Sequence, residues 1–201
     1  MRIIAGAFKG REVKALKGSA TRPTTNRVRE AWASTIGSLL LDKLQGIRVL
    51  DAFAGSGALG LEMLSRGAHS CLFCENNHAA LGVLRENVTR LTSANAIKPA
   101  VLGIDVLAPA SIRMLAEQGP YGLVLLDPPY ALEQGKIHLF LSVLARSGAL
   151  ASGALISYEQ QSKGADELDG AVLCSACSPA SLSVVSCKTY GTTTIRYYLY
   201  Q

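Results

Sequence analysis

From residue 47 onward, short apolar runs alternate with amphipathic helical patterns. That alternation restricts the chain to a mostly parallel, doubly wound sheet with helices on both faces. Residues 47–53 read as a strand ending in small residues and glycines, and residues 58–66 as a short helix stopped by Gly67. Residues 70–75 form the second strand. Leu81, Leu84, Val88 and Leu91 then mark one stripe of a helix. Residues 97–104 make a weaker third strand, and residues 109–118 a helix opened by Pro109. Residues 122–127 are apolar until the closing Asp127, as expected of a strand covered on both faces. A helix over 133–147 and a strand over 153–159 follow. Residues 182–189 and 193–200 flank Tyr190 and Gly191, a connection too tight for a parallel crossover, so the last strand should run antiparallel.

The first 45 residues follow another pattern. Arg2 to Val13 looks like two short strands around glycine turns, Thr21-Arg-Pro-Thr-Thr reads as a turn, and a helix is expected over residues 26–43. Val28, Trp32, Ile36, Leu39 and Leu40 give that helix a core-facing stripe. The domain expectation is a basic extension, residues 1–25, followed by a larger domain, residues 26–201. Charge is concentrated in this opening segment. Residues 1–30 carry a net +6 and the remainder −1. Such a cluster attracts polyanions, nucleic acid first among them, although a solvated cationic face is the plain alternative. Arg27 and Arg29 near a helix N-terminus make sense if an anion is bound there.

With 49% hydrophobic and 17% charged residues the chain can bury a full core, which excludes intrinsic disorder. No apolar run is long enough to span a bilayer, and the opening residues lack a signal-peptide stretch, so a cytoplasmic location is expected. Five cysteines, an odd number, argue against a disulfide framework. Cys71/Cys74 and Cys174/Cys177 are spaced like zinc ligands. The first pair sits in a strand, where residues three apart point to opposite faces, and no metal is expected.

Asp51-Ala-Phe53-Ala-Gly55-Ser56-Gly57-Ala-Leu-Gly60 follows the first strand and opens a helix, the place where open α/β sheets bind ligands. Gly-x-Gly-x-x-Gly alone also fits dinucleotides. The acids discriminate. Asp51 would repel a pyrophosphate but suit an ammonium group, Glu75 ends the next strand where a carboxylate can grip a ribose diol, and Asp105 ends the third, within reach of an adenine amine. Three carboxylates around a glycine loop suit a cationic nucleoside such as S-adenosylmethionine. Phe53, Ser56, Asn76 and Val106 complete the candidate cofactor set. The competing reading makes each acid a helix cap.

Leu126-Asp127-Pro128-Pro129-Tyr130 is the most specific feature. Consecutive prolines hold the neighbouring carbonyls without reorganisation. Asp127 and a loop carbonyl can each accept one hydrogen of an exocyclic amine, and Tyr130 offers a ring for base stacking. An aromatic amine is a poor nucleophile, because its lone pair is delocalised into the ring. Two fixed acceptors draw the nitrogen toward tetrahedral geometry and offset the positive charge that develops on it. The plain alternative is a Pro-Pro turn with Asp127 capping and Tyr130 packing.

The order Asp-x-Phe-x-Gly-x-Gly, then Asp-Pro-Pro-Tyr, resembles the class I, S-adenosylmethionine-dependent methyltransferases that act on nucleic-acid amino groups. Met1-Arg-Ile-Ile-Ala-Gly, Lys9-Gly-Arg11, Thr21-Arg-Pro-Thr-Thr, Arg27-Val-Arg-Glu and the ending from Gly191 through Arg196-Tyr-Tyr-Leu-Tyr resemble the RsmD family, bacterial 16S rRNA guanine-N2 methyltransferases. The resemblance implies a Rossmann-like, seven-stranded sheet with an antiparallel last strand, a flipped guanine, and 16S rRNA of an assembling 30S subunit as partner. Carried over, Gly55, Gly57, Glu75 and Asp105 bind the cofactor, and Asp127 to Tyr130 form the catalytic loop. Arg2, Lys9, Arg11, Arg22, Thr24 and Arg27 are the candidate nucleic-acid contacts. A monomer that needs no membrane is expected. Residues 160–185 match no pattern. Three alternatives stay open: a DNA amino methyltransferase, a non-catalytic RNA-binding protein with a vestigial cofactor site, and a nicotinamide oxidoreductase.

Overall fold

A computed structural model describes residues 1–16, 26–41, 43–93, 99–162 and 182–201. The chain divides into two compact units, Met1–Ile104 and Asp105–Gln201.

The first unit contains α1 (Asn26–Leu39), β1 (Arg48–Asp51), α2 (Ala58–Ser65), β2 (Ser70–Cys74), α3 (His78–Thr92) and β3 (Ala100–Leu102). Its strands run parallel in the order β3-β2-β1, with Leu50 opposite Leu72 and Phe73 opposite Val101. Val49, Leu50 and residues 71–74 are buried, which accounts for the unbroken apolar runs. Helix α3 begins earlier than its leucine stripe, because the Asn77 side chain accepts the N–H groups of Ala79 and Ala80. Helix α1 stops at Leu39 rather than at residue 43. Leu41 takes a left-handed φ of 50°, which ends the helical run.

The expected pair of N-terminal strands is reduced to one isolated antiparallel bridge, Arg2 with Glu12. Ile3 N–H donates to Arg11 O and Val13 N–H to Met1 O, at 2.9 and 2.8 Å. The donors that would lengthen a ladder are bound elsewhere. Ile4 and Ala5 N–H donate to the two carboxylate oxygens of Glu62, Ala7 N–H to Ser65 O, and Phe8 N–H to Ser65 Oγ. Residues 3–8 are thereby laid along α2. Glu62 is fully buried there and is balanced by Arg66 at 2.9 Å.

The second unit contains α4 (Pro109–Gln118), β4 (Tyr121–Leu126), α5 (Gln134–Arg146), β5 (Leu150–Gln161), β6 (Leu182–Tyr190) and β7 (Thr193–Tyr200). Its strand order is β4-β5-β7-β6; β4 and β5 are parallel, and β7 is antiparallel to both neighbours. Gly191, at φ 63°, opens the two-residue turn between Tyr190 and Thr193 that forces this reversal. Strand β5 outruns its expected end because pairing with β7 continues to Gln161 opposite Thr193. The seven-stranded sheet is thus mostly parallel with an antiparallel last strand. Most of residues 160–185, whose sequence matched no pattern, lie outside the described residues.

Candidate active site

In the first unit, the loop from Asp51 to Gly57 is held by bonds that its own sequence hides. Asp51 is 3% exposed, and its Oδ2 accepts the Gly60 N–H at 3.1 Å. Gly57, the N-cap of α2, has no side chain to serve the first turn, so a carboxylate from the preceding strand does so. Asp51 therefore points into the helix start rather than toward solvent. Gly57 sits at φ 80°, and a Cβ there would lie 2.6 Å from Leu84 Cδ1; at Gly60 it would lie 2.4 Å from Phe73 Cε1. These two glycines serve packing.

Gly55 differs. A Cβ on it would meet nothing nearer than Leu16 Cδ1 at 3.9 Å, and its N–H donates to Glu75 Oε2 at 2.8 Å. The other Glu75 oxygen accepts the Asn77 N–H at 2.7 Å. The ends of β1 and β2 thus present an open backbone face beside a half-buried carboxylate, with half-buried Phe53 and Ser56 and exposed Asn76 around it. Each Glu75 oxygen keeps a lone pair for a hydroxyl donor. These features fit the ribose and chain of S-adenosylmethionine. The first unit brings Asp51, Phe53, Gly55, Ser56, Gly57, Glu75 and Asn76 into one loop cluster.

Asp105 and Val106 belong to the second unit. Asp105 is exposed, with Oδ1 accepting the Leu107 N–H at 3.0 Å, while Val106 is buried. Asp127 follows directly on β4. Water reaches its side chain, yet the protein close around it strips enough solvent to push the carboxyl up to about 7. Pro128 is buried and Pro129 exposed. Tyr130 is 48% exposed; its hydroxyl donates to Glu159 Oε1 at 3.2 Å and lies 3.4 Å from Thr193 Oγ1. The ring is therefore available for stacking while its tip is anchored. Glu159 is 3% exposed. Burial, and secondly the charge of Asp127, push its carboxyl up to about 8.

Arg2, Lys9, Arg11 and Arg27 are exposed; Arg22 and Thr24 lie outside the described residues. Arg11 rests 5.5 Å above the Phe8 ring and donates to Leu91 O at 3.2 Å. Arg29 corrects an expectation. It is buried, and its guanidinium donates to Arg2 O at 2.6 Å, so it holds the N-terminal backbone rather than a bound anion. Cys71 and Cys74 are buried, and burial pushes both thiols up, Cys74 to about 12, which disfavours the thiolate a metal would need. Among the described residues no cluster of three metal-binding side chains occurs. Cys174 and Cys177 lie outside them.

Three contributors escaped the sequence reading. Asn87, fully buried, accepts the Lys14 N–H and donates to Lys14 O and Ser56 O, tying the basic segment to the glycine loop. Glu62 anchors residues 4 and 5. Glu159 braces Tyr130. Each carried a faint signal, a polar residue set within an otherwise apolar stripe or strand.

The same architecture is found in magnesium protoporphyrin IX methyltransferase from Synechocystis PCC 6803, solved with bound S-adenosylmethionine. The match has a TM-score of 0.61 and 18% identity over 85% of this chain and 78% of that one. The fold is that of the class I S-adenosylmethionine-dependent methyltransferases, and the glycine loop fits that cofactor. The solved structure of yhhF from Escherichia coli aligns over 99% of this chain and 97% of its own, with a TM-score of 0.73 and 32% identity. The chain belongs to the RsmD family, whose model, described as conserved hypothetical protein 95, it matches over residues 1–199. Ribosomal RNA small subunit methyltransferase D of Escherichia coli strain K12 is 35% identical over 162 residues, 80% of this chain and 75% of that protein. No helix among the described residues is long and apolar enough to cross a membrane.

Proposed function

We propose that this protein transfers a methyl group from S-adenosylmethionine to the exocyclic N2 amine of a guanine in 16S rRNA, within an assembling small ribosomal subunit. The observation that carries the reading is the Asp127–Tyr130 turn, an exposed but desolvated carboxylate beside an anchored, half-exposed aromatic ring. The relatives named as small-subunit rRNA methyltransferases support the substrate class.

Glu75 and the open face of Gly55 would hold the cofactor's ribose and chain, with Asp105 near its base. When bound, S-adenosylmethionine supplies an electrophilic methyl group on a positively charged sulfur. Tyr130 stacks on the flipped guanine and fixes its plane. Asp127 and a carbonyl of the proline turn accept the two amine hydrogens, which frees the nitrogen lone pair and offsets its developing positive charge. Alignment at ~3–3.5 Å then supplies most of the acceleration. After transfer, the surplus amine proton passes to Asp127 or to water.

Tritiated methyl transfer to deproteinised small-subunit rRNA, to 30S particles and to duplex DNA tests this reading. Label on an rRNA guanine supports it, and label confined to DNA refutes it. The ionised form of Asp127 is the working form. Its carboxyl is raised to about 7, so kcat/KM should climb by about tenfold or more per pH unit below that point. A profile flat from pH 5 to 8 would exclude an Asp127 that works as the carboxylate. Lys9→Glu and Arg11→Glu should each make the salt dependence of RNA affinity shallower by about one unit of log–log slope. An unchanged slope would assign both residues to solvated surface.

A further inference from the structure

Glu159 lies on β5, which pairs in parallel with β4 so that Tyr158 is opposite Leu126. Asp127 follows Leu126 and Glu159 follows Tyr158, and the Asp127 charge acts on the Glu159 carboxyl. The two carboxyls therefore flank one another at the end of the sheet. Glu159 Oε1 accepts the Tyr130 hydroxyl. Its Oε2 is buried and has no hydrogen-bond partner among the described residues. A buried polar atom left without a partner is costly, and its persistence calls for an explanation.

We propose that Glu159 determines base specificity, its unpartnered Oε2 accepting the ring N–H that adjoins the target amine in guanine. This rests on the methyl-transfer reading above and deepens it. Of the bases that carry an exocyclic amine, only guanine sets a ring N–H donor, N1–H, beside it. Adenine and cytosine set a ring nitrogen lone pair there, which would face the carboxylate oxygen and repel it. With Asp127 on the amine and Glu159 on the adjacent ring N–H, the two side-by-side acceptors match two side-by-side donors. Burial and the nearby Asp127 charge hold the Glu159 carboxyl high in the free protein. A donated N–H favours its ionised form, so the bound guanine completes the hydrogen bonding that the protein leaves unfinished. Sites built around such a bond discriminate strongly against analogues that lack it, because the buried group is then stranded.

The test uses 2-aminopurine, which keeps the N2 amine but carries a lone pair in place of N1–H. The full chain is given S-adenosylmethionine and small-subunit rRNA, either natural or with 2-aminopurine at the accepting guanine. Single-turnover rates should favour guanine by at least about 100-fold in the wild type. In Glu159→Gln, whose amide can turn to donate or accept, that ratio should fall to within about tenfold of unity, while stabilisation by S-adenosylhomocysteine persists. A wild-type ratio near one overturns the proposal without any mutant, whether or not the variant folds. A ratio as large in Glu159→Gln as in the wild type also overturns it, while methyl transfer to guanine still stands. If the wild type labels adenine, cytosine or no base in rRNA, both this assignment and the function it rests on fail.

Discussion

Asp127→Ala should lower the single-turnover rate of methyl transfer by roughly 10²- to 10³-fold, the usual cost of deleting one preorganised polar group from a transition state. The affinity for S-adenosylhomocysteine should be nearly unchanged, since the glycine loop and Glu75 that would hold it belong to the first compact unit. The loss arises because the amine nitrogen must pass from planar to tetrahedral while acquiring positive charge, and a fixed carboxylate accepts its hydrogen throughout. Asp127→Asn keeps an acceptor oxygen but no charge, so it should fall between wild type and alanine and lose the rise of rate with pH. Single-turnover assays with thermal shifts in S-adenosylhomocysteine separate the two effects. An alanine variant within a few-fold of wild type would remove Asp127 from the chemistry.

Gly6→Ala should destabilise the protein by about 3–5 kcal/mol, although no functional role attaches to Gly6 itself. The residue sits at φ 81°, which costs a side-chain-bearing residue roughly 1–2 kcal/mol. The added Cβ would fall 1.8 Å from Ser65 O, a backbone atom that cannot turn aside. Residues 4–8 would have to lift from α2 and give up bonds to Glu62 and Ser65, each a net contribution of about 1 kcal/mol. Gly10→Ala is the control. Its φ is 80°, but a Cβ there meets nothing within 4 Å, so only the conformational cost of roughly 1–2 kcal/mol remains. Urea unfolding of the two variants should differ in midpoint by the clash alone. Equal midpoints would show that the contact with α2 does not hold the segment.

The two candidate loops were legible as loops because they join regular elements at recognisable punctuation. Gly55 and Gly57 after an apolar strand, and paired prolines after Asp127, announce turns whatever surrounds them. The purposes of individual residues were less legible. Gly57 and Gly60 looked like ligand-approach glycines, yet their missing side chains make room for Leu84 and Phe73, and Gly55 alone leaves an open face. Asp51 looked like a ligand for an ammonium group, but its carboxylate serves the first turn of α2. Arg29, counted with the basic surface, is buried under the N-terminal backbone.

Periodicity and punctuation along the chain were enough to determine the mostly parallel α/β class, the reversed last strand and the positions of the two candidate turns, since each depends on residues within a few positions of one another. Only the tertiary structure decided that Glu159 receives the Tyr130 hydroxyl, that Glu62 receives Ile4 and Ala5, and that Asn87 joins Lys14 to Ser56. Those partners lie from about 30 to more than 70 residues apart. Which of them meet depends on strand register and on how a segment lies across a helix, and neither leaves a local trace in the sequence.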